Sequence, residues 1–486
     1  MKTTYRIMLL FLIGIVTVSC SSVETQVFEQ GSKKTDVLTK ASAPSSVCGE
    51  PSEFVVTEAD IRSFVQREKN PKRILSIDPV ERDGDALLYV VNYEDGWAIF
   101  SADKHLPPVL AKGQTEAFNL ETVDNPGVLL WMDNMMDATR RVREETPAES
   151  ANENTALWNG YSKKQKTEGD NPSRTEYLWT KVLVSSVHED IDTLYWGPYL
   201  QTNWGQESPW NSKLAYNNGN NHFKTGCVAV ALSQLLYYFH NTLGVPSGLY
   251  HGVSVAGWTL YLYQNYYTST LSRTDFTDPS PRWAQMPLDS CSDAEGAYVA
   301  DLMADVGNRV NMHYTVNNGS LSTINDAQAG LYYYGLTGSI QSFSSSQAYS
   351  EIAVNNRPFF MQGYGSSPVG HAWVVDGLEQ YRVKTTNTYI WYIGYLPGLE
   401  PEGEPATQEE AIAAALEAGY DSPEDSMLTY EYLYSDPYYR YHMNWGWNGH
   451  QNGYYTPSQP VYLNNGIYCS FSNNQQMLYN IHIDEN

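Results

Sequence analysis

Cys227 opens the run Gly226-Cys227-Val228-Ala229-Val230-Ala231-Leu232-Ser233-Gln234-Leu235-Leu236, which puts one thiol at the first turn of a strongly apolar predicted helix. A helix start offers unpaired backbone N–H groups and positive partial charge, both of which favour the nucleophilic thiolate. Two other segments supply what such a sulfur needs. His371, led in by Gly363, Gly365, Pro368 and Gly370, stands at the start of a predicted strand and can take the thiol proton and return it to a leaving amine. Asn444, in Met443-Asn444-Trp445-Gly446-Trp447, can hold that ring in orientation while two indoles shield the hydrogen bond. Gln206, in Trp204-Gly205-Gln206-Glu207, brings a side-chain amide that could join the Cys227 N–H in stabilising an oxyanion. Cysteine, histidine and asparagine in that chain order suit nucleophile, base and orienter. Each taken alone has an ordinary alternative: a packing thiol, a hydrogen-bonded histidine, a turn asparagine, a surface glutamine.

Taken together, Asn203-Trp204-Gly205-Gln206 with Pro209-Trp210-Asn211, Thr225-Gly226-Cys227-Val228-Ala229, Gly370-His371-Ala372-Trp373-Val374-Val375-Asp376-Gly377 and Asn444-Trp445-Gly446-Trp447 resemble the streptopain family of secreted bacterial cysteine proteases. The resemblance implies an α+β fold, a papain-like cysteine protease domain preceded by a small α+β propeptide domain. It implies Cys227 as nucleophile, His371 as general base, Asn444 as orienter and Gln206 as oxyanion donor. It also covers 306–314 and, more faintly, 54–145, which is similar to the family's inhibitory propeptide. A cysteine endopeptidase made as a zymogen follows as the expectation, with protein or peptide substrates and its own propeptide as partners. One departure stands out. The family passes from histidine to Asn-Trp-Gly through a short hairpin, whereas here Gln380 to Arg440 intervenes, with a capping box at Thr407-Gln408-Glu409-Glu410 and acidic residues on both sides. The preferred reading is a solvated surface insertion; a gate over the cleft or a partner-binding segment is the alternative.

The elements that must position these residues are partly readable. Thr57 to Asp60 starts a helix with Ile61, Phe64 and Val65 on one face, and Glu94-Asp95-Gly96 is a hairpin turn between strands at 86–93 and 97–102. Helical spacing marks 128–143 and 296–310; Arg357 to Gln362 and His371 to Val375 read as strands. Composition divides the chain into 1–20, 21–53, 54–145, 146–176 and 177–486. These are expected to be signal peptide, tether, propeptide domain, activation linker and protease domain. The linker, with its basic cluster Lys163-Lys164-Gln165-Lys166, reads as exposed and cleavable.

Lys2 and Arg6, the apolar run Ile7 to Val18 and then Ser19-Cys20 read as a secretory signal, so the chain is expected to be exported. Lipid on Cys20 and attachment to the cell envelope are preferred over an ordinary signal cut nearby with release. A formal charge of −25, from 30 Lys or Arg against 55 Asp or Glu, argues against nucleic acid as a partner. Neither metal-ligand spacing among the ten histidines nor a phosphate-binding glycine loop stands out, so no cofactor is expected. The competing function is a catalytically dormant lipoprotein that uses the abundant aromatics, 38 Tyr and 13 Trp, to hold a surface partner.

Overall fold

The computed structural model describes residues 53–114, 117–145, 153–159, 178–214, 216, 221–244, 258–261, 266–269, 283–314, 320–364, 370–394, 428–456, 461–462, 468–469 and 475–484. The N-terminal unit begins with α1 (Glu58–Gln66), where Thr57 and Asp60 form a reciprocal capping box and Ile61, Phe64 and Val65 are buried. An antiparallel meander follows, β1 (Ile74–Arg82), β2 (Asp85–Tyr93), β3 (Gly96–Ser101) and β4 (Val109–Gly113). One face of this meander packs on α1 through Val91, Phe100 and Tyr89. The other packs on α2 (Pro126–Glu145) through Leu88, Val90 and Ile99. Pro126 suits the first helical position because its missing N–H would be unpaired there anyway, and the Asn125 side chain receives the N–H groups of Gly127 and Val128.

The expected linker needs a correction over part of its length. Glu153–Asn159 is a helix, α3, with Leu157 and Trp158 buried. Trp158 packs on Phe64 and Phe100 and donates to the Leu106 carbonyl at 3.1 Å. An indole with an apolar site and a carbonyl acceptor gains more from docking than from solvent. The cluster Lys163–Lys166, Cys20 and the helix expected after Thr407 lie outside the described residues.

In the C-terminal unit β5 (Leu178–Trp196) precedes α4 (Cys227–Tyr237), α5 (Ala297–Arg309) and α6 (Ile324–Leu331). Every residue of α4 after Cys227 is buried. Apolar on all sides, the helix has to sit between layers, and it does, with α5 and α6 on one side and Val374 and Leu478 of the sheet on the other. The remaining strands of the main sheet are β6 (Leu336–Ser342), β7 (Phe359–Tyr364), β8 (Gly370–Gly394), β9 (Leu428–Tyr434), β10 (Tyr438–Asn444), β11 (Gly453–Tyr455) and β12 (Gln475–Ile483).

These strands and the N-terminal meander form one sheet in the order β1-β2-β3-β4-β11-β10-β8-β7-β12-β6, with β5 and β9 flanking the distal half of β8. The seam between the units is β4 against β11, Ala111 opposite Tyr455 and Lys112 opposite Tyr454. Two edges that would otherwise present unpaired peptide groups satisfy each other there. Side chains of both units share one core, in which Trp131, Met132 and Met136 of α2 meet Trp373, Val375, Met443, Trp445 and Tyr455. The described part of the Gln380 to Arg440 excursion is strand: β8 runs on past Gln380 to Gly394 and β9 returns beside it.

Candidate active site

Gly226 caps α4 with φ 88° and ψ 143°, a backbone that glycine adopts freely and that leaves no side chain over the helix start. A Cβ there would lie 2.7 Å from Met312 Sδ. The Cys227 thiol meets the backbone N–H groups of Ala372, Val228 and Cys227 itself, with Tyr364 nearby. The segment before it is tied in place because the Gln206 carbonyl accepts from Thr225 N at 3.0 Å. Gln206 is 8 % exposed, so it is no surface glutamine. Its loop is clamped to the 444–449 segment through Trp210 Nε1 to Asn448 Oδ1 at 2.8 Å.

Strand alternation on β8 gives its side chains two faces. Ala372 and Val374 face α4, while Trp373 and Val375 face α2. His371 lies with the second set, its ring parallel to that of Trp373 at a centroid distance of 6.3 Å, and it is 2 % exposed. Its Nε2 is 2.9 Å from the Trp445 carbonyl oxygen. A carbonyl only accepts, so Nε2 carries the hydrogen and Nδ1 keeps the lone pair that a general base uses. No hydrogen bond joins Cys227 and His371.

What holds the imidazole on that side is α2. Gly127 sits directly on it: a Cβ at this position would lie 2.4 Å from Trp445 Cε3, 2.6 Å from His371 Cδ2 and 3.0 Å from His371 Nε2. Asp124 accepts from Trp447 Nε1 at 2.9 Å, and Asn125 donates to the His450 carbonyl at 3.0 Å. The turn 124–127 thus covers the Trp445-Gly446-Trp447 segment as well as the histidine.

Asn444 does not reach His371 in this arrangement. It pairs with Val374 on the α4 side, where Oδ1 accepts from Gln234 Nε2 and from Gly446 N, both at 3.2 Å, and Nδ2 donates to the Thr202 carbonyl at 2.8 Å. Thr202 Oγ1 closes the ring by donating to Gln234 Oε1 at 2.9 Å. Sequence reasoning passed over Gln234 and Thr202. The signal for Gln234 was a long polar side chain in an apolar helix, two turns after Cys227 on the same face. The network anchors the 444–446 turn whose next carbonyl, that of Trp445, holds the imidazole. Asn444→Ala and Gln234→Ala should therefore lower kcat to a similar degree, roughly tenfold, with little change in KM. A silent Gln234→Ala beside a damaging Asn444→Ala would instead assign Asn444 a direct contact with the ring.

Electrostatics in the closed chain runs against the expectation of a thiolate. Burial pushes the Cys227 thiol up despite the three N–H groups that pull the other way. Burial also brings His371 down to about 4, with the Trp445 carbonyl opposing. Both shifts favour the neutral thiol and the neutral imidazole over the ion pair that a cysteine protease needs while the N-terminal unit is docked.

A second titration acts in the opposite sense. Burial, together with the nearby Asp190, raises Glu68 at the end of α1 to about 7. A raised carboxylate favours the closed form below its ordinary 4.5 and gives that up as pH rises through 7. A depressed histidine favours it above 6.5 and gives that up as pH falls through 4. Between those values the two oppose each other, with His188, also brought down to about 4 by burial, on the histidine side. Glu68→Gln should then raise the Tm of the full chain at pH 8, by the equivalent of about 2 kcal/mol after discount for partial exposure, and leave it unchanged at pH 4. Equal Tm values at both pH values would contradict this.

Comparison with known proteins agrees with the resemblance. Residues 204–395 match the model of the Peptidase C10 family, and residues 58–139 match that of the Spi protease inhibitor; together they span more than half the chain. Among solved structures, a cysteine-to-alanine mutant fragment of Prevotella intermedia prointerpain A is 20% identical, covering 83% of this chain and 98% of that one at a TM-score of 0.46. Active wild-type interpain A cysteine protease of Prevotella intermedia is 23% identical, covering 58% and 94% at a TM-score of 0.35. No curated protein matches the chain. With an inhibitor domain at 58–139 ahead of a peptidase C10 (streptopain-family) domain at 204–395, the chain is a cysteine endopeptidase made as a zymogen.

Proposed function

We propose that peptide bonds are hydrolysed by Cys227 as nucleophile with His371 as general base, once departure of α2 frees the imidazole to turn toward the sulfur at the edge of β8. Nδ1 then takes the thiol proton, the sulfur attacks the scissile carbonyl, and Nδ1 returns the proton to the leaving amine before water releases the acyl group. The N–H of Cys227 and the amide of Gln206 are assigned to the oxyanion. Asn444 orients the base through the turn that ends in the Trp445 carbonyl. The observation that carries this reading is the His371 Nε2 to Trp445 carbonyl bond, which fixes a tautomer with Nδ1 free. We further propose export, with lipid on Cys20 as the anchor, on the strength of the N-terminal sequence alone.

A thiol-reactive inhibitor tests the assignment. The processed chain should be labelled stoichiometrically at Cys227 and at least about a hundredfold more slowly in His371→Ala. Slow labelling that is indifferent to His371→Ala would favour the dormant surface-binding protein.

A further inference from the structure

The seam between β4 and β11 is built around one lysine. Lys112 Nζ lies 2.5 Å from Glu379 Oε1. The other oxygen of that carboxylate is 3.0 Å from Arg440 Nη1, and Tyr195 donates to Oε1 at 2.9 Å. Glu379 has no exposed surface. Arg440 also donates to the Val109 carbonyl at 3.2 Å, and the Leu110 carbonyl accepts from Thr456 N at 3.0 Å, so the backbone of β4 leading to the lysine is held as well. The recess is not filled: a cavity of about 1080 Å³ lies between the units, lined by Lys112, Asp190, Tyr381 and Arg440 and reaching Asn444.

When the inhibitor domain leaves, β11 loses its neighbour and Lys112 leaves two carboxylates, Glu379 and Asp190, facing Arg440. An open strand edge beside an acidic recess is a template for an extended basic segment. We propose that in the processed enzyme this surface is an exosite for protein substrates, taking an extended segment in the register of Val109-Leu110-Ala111-Lys112-Gly113 with a lysine seated on Glu379. The proposal rests on the zymogen reading. Lys112 is level with Gly377 of β8, six residues along from His371 and three strand spacings across, roughly 25 Å from the histidine. A substrate chain therefore needs about eight extended residues between the lysine and the scissile bond to use both places.

The test uses full chain cut in the 146–176 segment by an added lysine-specific protease, with the released domain removed by size exclusion. A labelled peptide Pro-Pro-Val-Leu-Ala-Lys-Gly-Gln is titrated against it by fluorescence anisotropy, beside the same peptide with alanine for lysine. The lysine peptide should bind at least about tenfold more tightly. It should also raise the KM of a long substrate carrying that strand and leave a short fluorogenic substrate untouched. Equal binding of the two peptides, or none, overturns the proposal, as does an inhibitor domain that stays bound after cleavage. Hydrolysis of the short substrate by the same preparation reports the catalytic reading separately, and the binding arm stands even where that activity is absent.

Discussion

Replacing Gly127 by valine should open the zymogen. The new Cβ has nowhere to go, since Trp445 and His371 both lie within 3.0 Å of it and Trp445 is held in the shared core. Overpacking of this kind costs about 1–3 kcal/mol, a shift of up to roughly a hundredfold in the balance between docked and undocked inhibitor domain. The expected result is faster maturation and faster labelling of Cys227 in the uncleaved chain, with the processed enzyme unaltered because residue 127 is no longer attached. Gly127→Ala should lie between the two. Unchanged maturation in the valine variant would mean that α2 does not bear on the histidine as described.

The largest loss is expected from Cys227→Ala. Without the sulfur no acyl-enzyme forms, and peptide hydrolysis should fall by at least about 10⁴-fold. The variant should still fold, because alanine is smaller than cysteine and fits the first turn of a helix. Where maturation is autocatalytic, it should also accumulate as the uncut chain, which a time course with N-terminal sequencing of each fragment would show. Retained hydrolysis would remove Cys227 from the chemistry altogether.

Much of this molecule was legible wherever a signal is local. The helix start at Thr57, the turn before Gly96, the apolar run of α4 and the strand at His371 each lie within a dozen residues, and each is present. Long-range pairing was not legible. Nothing in Val109 to Gly113 announces that it will pair with Gly453–Tyr455, some three hundred residues on, because a strand pattern specifies a face and not a partner. For the same reason a chain read as two pieces proves to share a sheet and a core. The side of β8 on which His371 lies follows from strand alternation only once the packing of Trp373 and Val375 against α2 is known. Docking of Trp158 hid in a stretch whose composition reads as linker, since one indole outweighs its polar neighbours only when a site for it exists. The helix-start argument for a thiolate was sound for an open cleft and fails here because burial is the larger influence.

A structure of the processed enzyme, free of its inhibitor domain, would measure the central claim directly through the position of one ring. The account predicts the His371 imidazole turned toward Cys227, Nδ1 within hydrogen-bonding reach of Sγ, with Nε2 still on the Trp445 carbonyl. An imidazole that remains stacked beside Trp373 in a well-ordered, inhibitor-free enzyme would contradict it.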